Sequence, residues 1–483
     1  MSGDVRGLEE ARNRELRRRD WRFLHPGLPL QHLERVPRNV EELTAGSGSP
    51  QPGGVYLEWR RAGLGGASAL REKLARVGVR DVEIYWPWPG LRQPWFWLPL
   101  GSKAAAAYVA GTRLQPRSWI RRVIDPALRA LWSRAAAAER LWPLCAVGRI
   151  EGVARNESLR DRIDREWEAW GIGDRPLRHA WMLLTRGGRT INKVVGLVFA
   201  EPDPTPRIAV KLARVPEAEP ALHREARVLA VVHGRAPGGL RGAPRVLFCD
   251  DRSGVLALAE TALPGRPLFS LLQPSRYREI AMLAVEWLAD LAGPLAPGRA
   301  GAAAGVVHEA LRRFADSFGA VITPAELRQT EQLLEPLAGL PSVLEHRDFS
   351  PWNVHLAPNG DIVVHDWESA EPVGLPLTDL VYFLTYLGFF RARASAPDHC
   401  AAVYRTGRSR GSATGAVHAE ALARYASRIG LDPTHVRGLH ALTWLIHSRS
   451  EYHRLVADLG GPPAPNALGR SLFLALWREE LRR

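Results

Sequence analysis

Cysteine is scarce in this chain. There are three, Cys145, Cys249 and Cys400, among 483 residues, and no two form a C-x-x-C pair. That excludes a disulfide framework and a thiolate zinc site, and it makes a reducing cytoplasm the expected compartment. No apolar run approaches the ~20 residues that a membrane span needs. The N-terminus, MSGDVRGLEEARNRELRRRDW, lacks the apolar stretch of a signal peptide. No internal repeat is present.

What is there is globular. Hydrophobic residues make up 46% and charged residues 24%, a balance that buries cores rather than one that stays disordered. The length suggests two or three domains. The formal charge is +14, mostly from arginine. Such a charge can signal nucleic acid, an anionic membrane or a phosphorylated ligand. Here the basic residues are dispersed, so no specific nucleic-acid partner is expected.

Three stretches differ in character. Residues 1–150 hold a turn-rich segment at 45–54, then a strand (Val55–Trp59), an amphipathic helix (Ala69–Val77), a second strand (Asp81–Trp86) and a third short apolar run. This order reads as a small α/β module. Residues 117–149 read as a helix in which Arg117, Arg121, Arg122, Arg129, Arg134, Arg140 and Arg149 alternate with Trp119, Trp132 and Trp142. Such a helix can make peripheral contact with an anionic membrane. Packing between domains with solvated arginines is the preferred reading. Twelve of the 17 tryptophans precede residue 182, which sets the first third apart. Residues 151–263 then read as a helix followed by strands at 180–185, 191–200 and 207–213, a helix at 219–233, and strands at 244–249 and 255–259. Residues 264–483 read as mainly helical.

Two constellations carry chemistry. In the strand 207–213, alternation puts Ile208, Val210 and Leu212 on one face and Ala209, Lys211 and Ala213 on the other. A lysine flanked by alanines has room to reach over a nucleotide. In the next helix Glu225 falls on the apolar stripe of Leu222, Ala226, Leu229 and Val232. A buried carboxylate is costly unless it meets a cation, and Lys211 is the expected partner. The second constellation is His346-Arg-Asp348-Phe-Ser-Pro-Trp-Asn353, followed by a segment with an Asn-Gly turn and then Asp366. Asp348 is placed to serve an attacking hydroxyl. A hairpin of that length returns Asp366 beside Asn353, giving two hard oxygen donors of the kind magnesium takes. His346 is expected to hold the loop by hydrogen bonds. Trp367 is expected to pack, and Glu368 to touch substrate or metal or to lie at the surface.

From about residue 179 onward these pieces resemble the aminoglycoside phosphotransferase and choline kinase-like family. The resemblance rests on Ala209-x-Lys211, Arg224-Glu225-Ala226, LAETALPG (258–265), HRDFSPWN (346–353), HDWE (365–368) and the G-x-P-x-x-D-L pattern of Gly374 to Leu380. It implies an α+β, bilobal protein-kinase-like fold with a β-rich N-lobe and a helical C-lobe. It implies ATP at the hinge around Glu260 and Ala262, Lys211 on the phosphates, Asp348 as catalytic base, and Asn353 and Asp366 as Mg2+ ligands. It also implies that Asp379 braces the catalytic loop by accepting its backbone hydrogen bonds. Two positions depart from the pattern. Arg347 stands where many members have glycine, and the phosphate-covering loop keeps only Gly187 and Gly188 as plausible contacts, with Thr190 and Asn192 as hydrogen-bond donors or plain turn residues.

Residues 51–100 weakly resemble the C-terminal half of a class I methyltransferase. No strand is followed by G-x-G-x-G, so a catalytically silent remnant or an interaction module is expected. No activation loop or A-P-E segment follows Asp366, which favours a small-molecule hydroxyl over a protein as phosphate acceptor. The competing reading is a non-catalytic nucleotide-binding scaffold. The acceptor, the choice of ATP or GTP, the oligomeric state and any role in antibiotic resistance are not written in these residues.

Overall fold

The structure is a computed structural model, and it describes residues 21, 24, 30–33, 35–38, 42–43, 53–59, 66–88, 90–91, 94–112, 143–153, 157–185, 193–235, 239–252, 254–295 and 302–483. The architecture is α+β, strand-rich in the first half and helical in the second. The chain forms two compact units, residues 1–226 with 244–264 and residues 227–243 with 265–483.

The first unit is built on one ten-stranded sheet. Its strands are β1 (Leu30–Leu33), β2 (Gly54–Trp59), β3 (Val79–Trp88), β4 (Phe96–Pro99), β5 (Leu144–Ile150), β6 (His179–Leu184), β7 (Val194–Ala200), β8 (Pro206–Leu212), β9 (Val246–Asp250) and β10 (Ala257–Thr261). Their order across the sheet is β1-β2-β5-β3-β4-β6-β7-β8-β10-β9. Among the described residues only β1 and β2 pair in parallel. Strand β5 inserts between β2 and β3, antiparallel to both.

Residues on either side of position 150 share this sheet. The seam is β4 against β6, with Phe96 opposite Leu184 and Trp97 opposite Leu183. Thr185 extends it, donating its N–H to the Trp95 carbonyl at 3.1 Å and its hydroxyl to the Pro94 carbonyl at 2.8 Å. One core runs under both parts. Trp21, Tyr56, Tyr85 and Trp97 lie in the same buried cluster as Trp181, Val198, Ile208 and Val210. Trp21 stacks aslant on Tyr85 at 4.5 Å and edge-on to Trp97 at 5.2 Å. Aromatic side chains of this size dominate core energetics, so the early tryptophans weld the two parts into one body.

The opposite face is covered by helices α1 (Gly66–Arg76) and α2 (Lys103–Thr112), through Ala67, Leu70 and Leu74 and through Ala104, Ala105 and Val109. Helix α3 (Leu159–Glu166) is fixed by a capping box between Ser158 and Asp161. The expected helix 117–149 is corrected at its end. Residues 144–149 are strand β5, and Arg149 pairs with Asp81 at 3.2 Å. The run LCAVGRI is short and mostly apolar, and tertiary pairing decides such a run. Residues 113–142, on which the membrane-contact reading mostly rests, lie outside the described residues.

Among the described residues the second unit is helical around two small sheets, one of β11 (Arg266–Pro267), β13 (Val354–Leu356) and β14 (Ile362–Val364) and one of β12 (Val343–Glu345) and β15 (Glu371–Gly374). Its main helices are α5 (Tyr277–Ala292), α6 (Ala302–Phe318), α7 (Pro324–Leu334), α8 (Thr378–Ala392), α9 (Pro397–Arg408), α10 (Ala413–Ile429), α11 (Val436–Leu459) and α12 (Leu472–Leu481). Helix α4 (Glu219–Gly234) begins in the first unit and ends in the second. Among the described residues no helix is long and apolar enough to cross a membrane.

Candidate active site

In the first unit the site is organised by strand β8. Its Ile208, Val210 and Leu212 enter the core shared with the tryptophans, while Ala209 joins the cluster on the other face. Lys211 therefore projects from that second face, buried among neighbours. Its Nζ lies 2.6 Å from Glu225 Oε1. Glu225 sits on the inner face of α4 beside Leu222, and Arg224 is exposed, as the apolar stripe requires.

Two further charges join this pair. Lys193 donates to Glu225 Oε2 at 3.3 Å. Glu260, on β10, reaches Lys211 with Oε1 at 2.8 Å. Burial, partly offset by Lys211, pushes the Glu260 carboxyl up to about 7. The carboxylate of Glu260 thus faces the lysine, although the sequence pattern pointed to it as a hinge position. Ala262 follows that strand, and its N–H is donated to the Arg207 carbonyl at 2.9 Å. Gly187, Gly188, Thr190 and Asn192 lie outside the described residues.

In the second unit the catalytic segment starts at β12 (Val343–Glu345), which pairs antiparallel with β15 (Glu371–Gly374). Glu345 lies directly over Gly374. A Cβ at that position would fall 2.2 Å from Glu345 Cδ, so only glycine fits. Glu345 is fully buried and fully used. Its Oε1 accepts from Leu375 N at 2.8 Å and Thr378 Oγ1 at 2.7 Å, and its Oε2 pairs with Arg347 Nε at 2.8 Å.

Asp379, in the first turn of α8, accepts from His346 N at 2.7 Å and from Arg347 N at 2.8 Å. Arg347 has a φ of 62°, in the left-handed region that glycine takes without strain. The departure from glycine there is held by Asp379 on the backbone and Glu345 on the side chain. His346 is wholly internal. Its Nδ1 accepts from Asp348 N at 3.3 Å and its Nε2 meets the His365 carbonyl at 3.1 Å, which fixes the proton on Nε2.

The loop then presents its polar groups. Asn353 Nδ2 donates to Asp348 Oδ2 at 2.7 Å and to the Asp348 carbonyl at 3.0 Å. That leaves Asn353 Oδ1 as a free oxygen donor. Strands β13 (Val354–Leu356) and β14 (Ile362–Val364) form the hairpin, Val354 opposite Val364. His365 N donates to the Asn353 carbonyl at 3.0 Å, which carries the hairpin one residue past β14 and brings the chain to Asp366 directly after it. Trp367 is buried, ties its indole N–H to the Val364 carbonyl at 3.1 Å and meets the His346 ring at 4.7 Å.

Charge is concentrated here. Burial first, then the charges of Asp366, Glu368 and Asp379, push the Asp348 carboxyl well above the usual range. This surplus of negative charge beside two oxygen donors is what a divalent cation relieves. Two protein ligands suit magnesium, which keeps several waters. Asn353 Oδ1 and the Asp366 carboxylate therefore fit that ion.

Three features escaped the reading of the sequence. Lys193 and the side chain of Glu260 join Lys211 and Glu225. Glu345 ties the loop to β15. The signal for Glu345 was present: a carboxylate inside the apolar strand Val343–Glu345 must be paired. Lys193 follows a loop of weak pattern and carried no such signal.

Residues 197–416 match the model of the phosphotransferase enzyme family. No curated protein matches the chain. Solved structures that resemble this chain include aminoglycoside 2'-phosphotransferase-IIIa in its GDP complex, at 15% identity and a TM-score of 0.39, over 67% of this chain and 98% of that one. Macrolide 2'-phosphotransferase MphH from Brachybacterium faecium, as apoenzyme, aligns at 19% identity and a TM-score of 0.37, over 61% of this chain and 90% of that one. Choline kinase LicA from Streptococcus pneumoniae aligns at 12% identity and a TM-score of 0.35, over 67% and 98%. The methyltransferase resemblance of residues 51–100 gains no support from these comparisons.

Proposed function

We propose that the chain transfers the γ-phosphate of ATP to a hydroxyl of a small molecule, with magnesium. The observation that carries this reading is the Asp348–Asn353 contact at 2.7 Å within the segment that ends at Asp366. On this reading Asp348 serves the acceptor hydroxyl, and the Asn353 amide oxygen and the Asp366 carboxylate would take up a metal when it binds.

Asp348 is the general base. It takes the proton of the acceptor hydroxyl as the oxygen–phosphorus bond forms and the bond to the β-phosphate oxygen breaks, releasing ADP. Lys211, held by Glu225, supplies positive charge to the phosphates, and the residues around Ala209, Glu260 and Ala262 seat the base. Magnesium, held by Asn353 and Asp366, neutralises phosphate charge when bound. There is little covalent work for the protein in such a transfer, so positioning and charge neutralisation supply the acceleration. Asp379 and His346 keep the loop in place.

The acceptor is a sugar, an amino alcohol or a glycoconjugate precursor. The short path from Asp366 to Gly374 leaves no room for an activation segment. The test is a screen for magnesium-dependent ADP release across a library of hydroxyl compounds. ADP release with at least one acceptor supports the reading. Tight nucleotide binding with no turnover on any acceptor favours a non-catalytic scaffold instead.

A further inference from the structure

The ionisable groups around Lys211 form a quartet with an uneven distribution of partners. Glu225 is satisfied on both oxygens, by Lys211 at 2.6 Å and Lys193 at 3.3 Å. Glu260 shares Lys211 through Oε1 at 2.8 Å, while its Oε2 is buried with no hydrogen-bond partner. The residue is 2% exposed. The described groups that act on it are Lys211 from β8, Glu225 from α4 and Lys193 from the residue before β7. With both carboxylates ionised, two ammonium groups balance two negative charges.

A nucleotide upsets this balance. On the reading proposed above, Lys211 turns part of its charge to phosphate oxygens, and the incoming phosphates add negative charge. Glu225 keeps Lys193. Glu260 feels Lys193 only as a charge without an ion-pair contact, Lys211 being its paired ammonium among the described residues, and it already carries an orphan oxygen. A buried carboxylate that loses its cation lowers its energy by protonation.

We infer that Glu260 is a proton-linked positioning residue, taking a proton from solvent on Oε2 when nucleotide phosphates engage Lys211. In the free protein Glu260 holds the lysine between two carboxylates. In the complex the neutral acid releases it and becomes a hydrogen-bond donor. The consequence is a nucleotide affinity that depends on pH with a definite sign. Where the free carboxyl is ionised and the bound one protonated, binding takes up a proton and weakens as pH rises. Below about 7 the free carboxyl is already largely protonated, so the dependence flattens there.

This inference rests on the nucleotide-binding part of the proposed function, and the experiment separates the two. Isothermal titration with the magnesium complex of a non-hydrolysable ATP analogue is run near pH 8 in buffers of different ionisation enthalpy. The wild type is expected to take up a proton fraction that Glu260→Gln does not. Its Kd is expected to rise by up to about tenfold per pH unit above pH 7, and the Kd of Glu260→Gln to stay nearly constant. Equal proton uptake in both proteins overturns the inference. Should Glu260→Gln fail to fold, the wild type decides alone, and a Kd unchanged between pH 7 and pH 9 overturns it. No nucleotide binding at any pH removes the proposed function itself.

Discussion

The Asp379 carboxylate and the backbone N–H of Arg347 meet at 2.8 Å, and Arg347 stands there at a φ of 62°. A side chain in this left-handed conformation costs roughly 1–2 kcal/mol. The carboxylate, which also holds His346 N, keeps the loop in it. Asp379→Asn keeps one acceptor and sets an N–H donor against the other backbone N–H. We predict a loss of roughly 1–3 kcal/mol in stability and a fall in turnover. Denaturant unfolding and initial rates check both. Arg347→Gly, which relieves the backbone, is expected to keep most of the turnover.

Glu225→Ala leaves the buried Lys211 and the half-buried Lys193 without their shared carboxylate. Removing one partner of a buried pair costs on the order of 3–5 kcal/mol. The expected result is a lowered unfolding midpoint and a raised KM for ATP, with the KM for the acceptor little changed. Unchanged ATP saturation would show that the pair does not order the phosphate site.

Trp97→Ala tests the seam. Trp97 is fully buried and lies on β4 opposite Leu183. Truncating a buried tryptophan costs roughly 3–5 kcal/mol. The strands before residue 150 and those after residue 179 share its core, so hydrogen exchange should rise in both. Faster exchange confined to residues before 150 would contradict a shared body.

His447 and His418 set a pH dependence. Burial lowers His447 to about 3 and His418 to about 4, against an ordinary 6.5. His447 stacks on Tyr382 at 3.8 Å, and His418 Nε2 meets the Tyr277 hydroxyl at 2.7 Å. Between those values and 6.5 the unfolded chain binds protons that the folded one does not. Their contribution is present above pH 6.5 and is lost on acidification, by at most about 1.4 kcal/mol per pH unit for each histidine. Unfolding midpoints between pH 7 and pH 4.5 measure it, and His447→Asn should flatten the slope.

These sites differ in how far local sequence exposes them. The loop and hairpin of the candidate site were legible because they span only 21 residues, from His346 to Asp366. Lys211 with Glu225 was legible because a carboxylate on an apolar stripe demands a cation. The β4–β6 seam was not, since it pairs residues more than 80 positions apart, and strand partners are chosen by packing rather than by propensity. Strand β5 failed for a related reason. Its seven residues, mostly apolar, fit a helix or a strand, and β2 and β3 decide between them. The direction of Glu260 was hidden because the alternation of β10 depends on its register against β8.

The most direct test of the central claim is the rate of acceptor-dependent, magnesium-dependent ADP release by wild type and Asp348→Asn. The variant keeps the size of the side chain but cannot take the hydroxyl proton. A fall of about 100-fold to 10,000-fold in turnover, with nucleotide Kd little changed, is the predicted result. Equal turnover by the two proteins would contradict Asp348 as the base, and with it the mechanism.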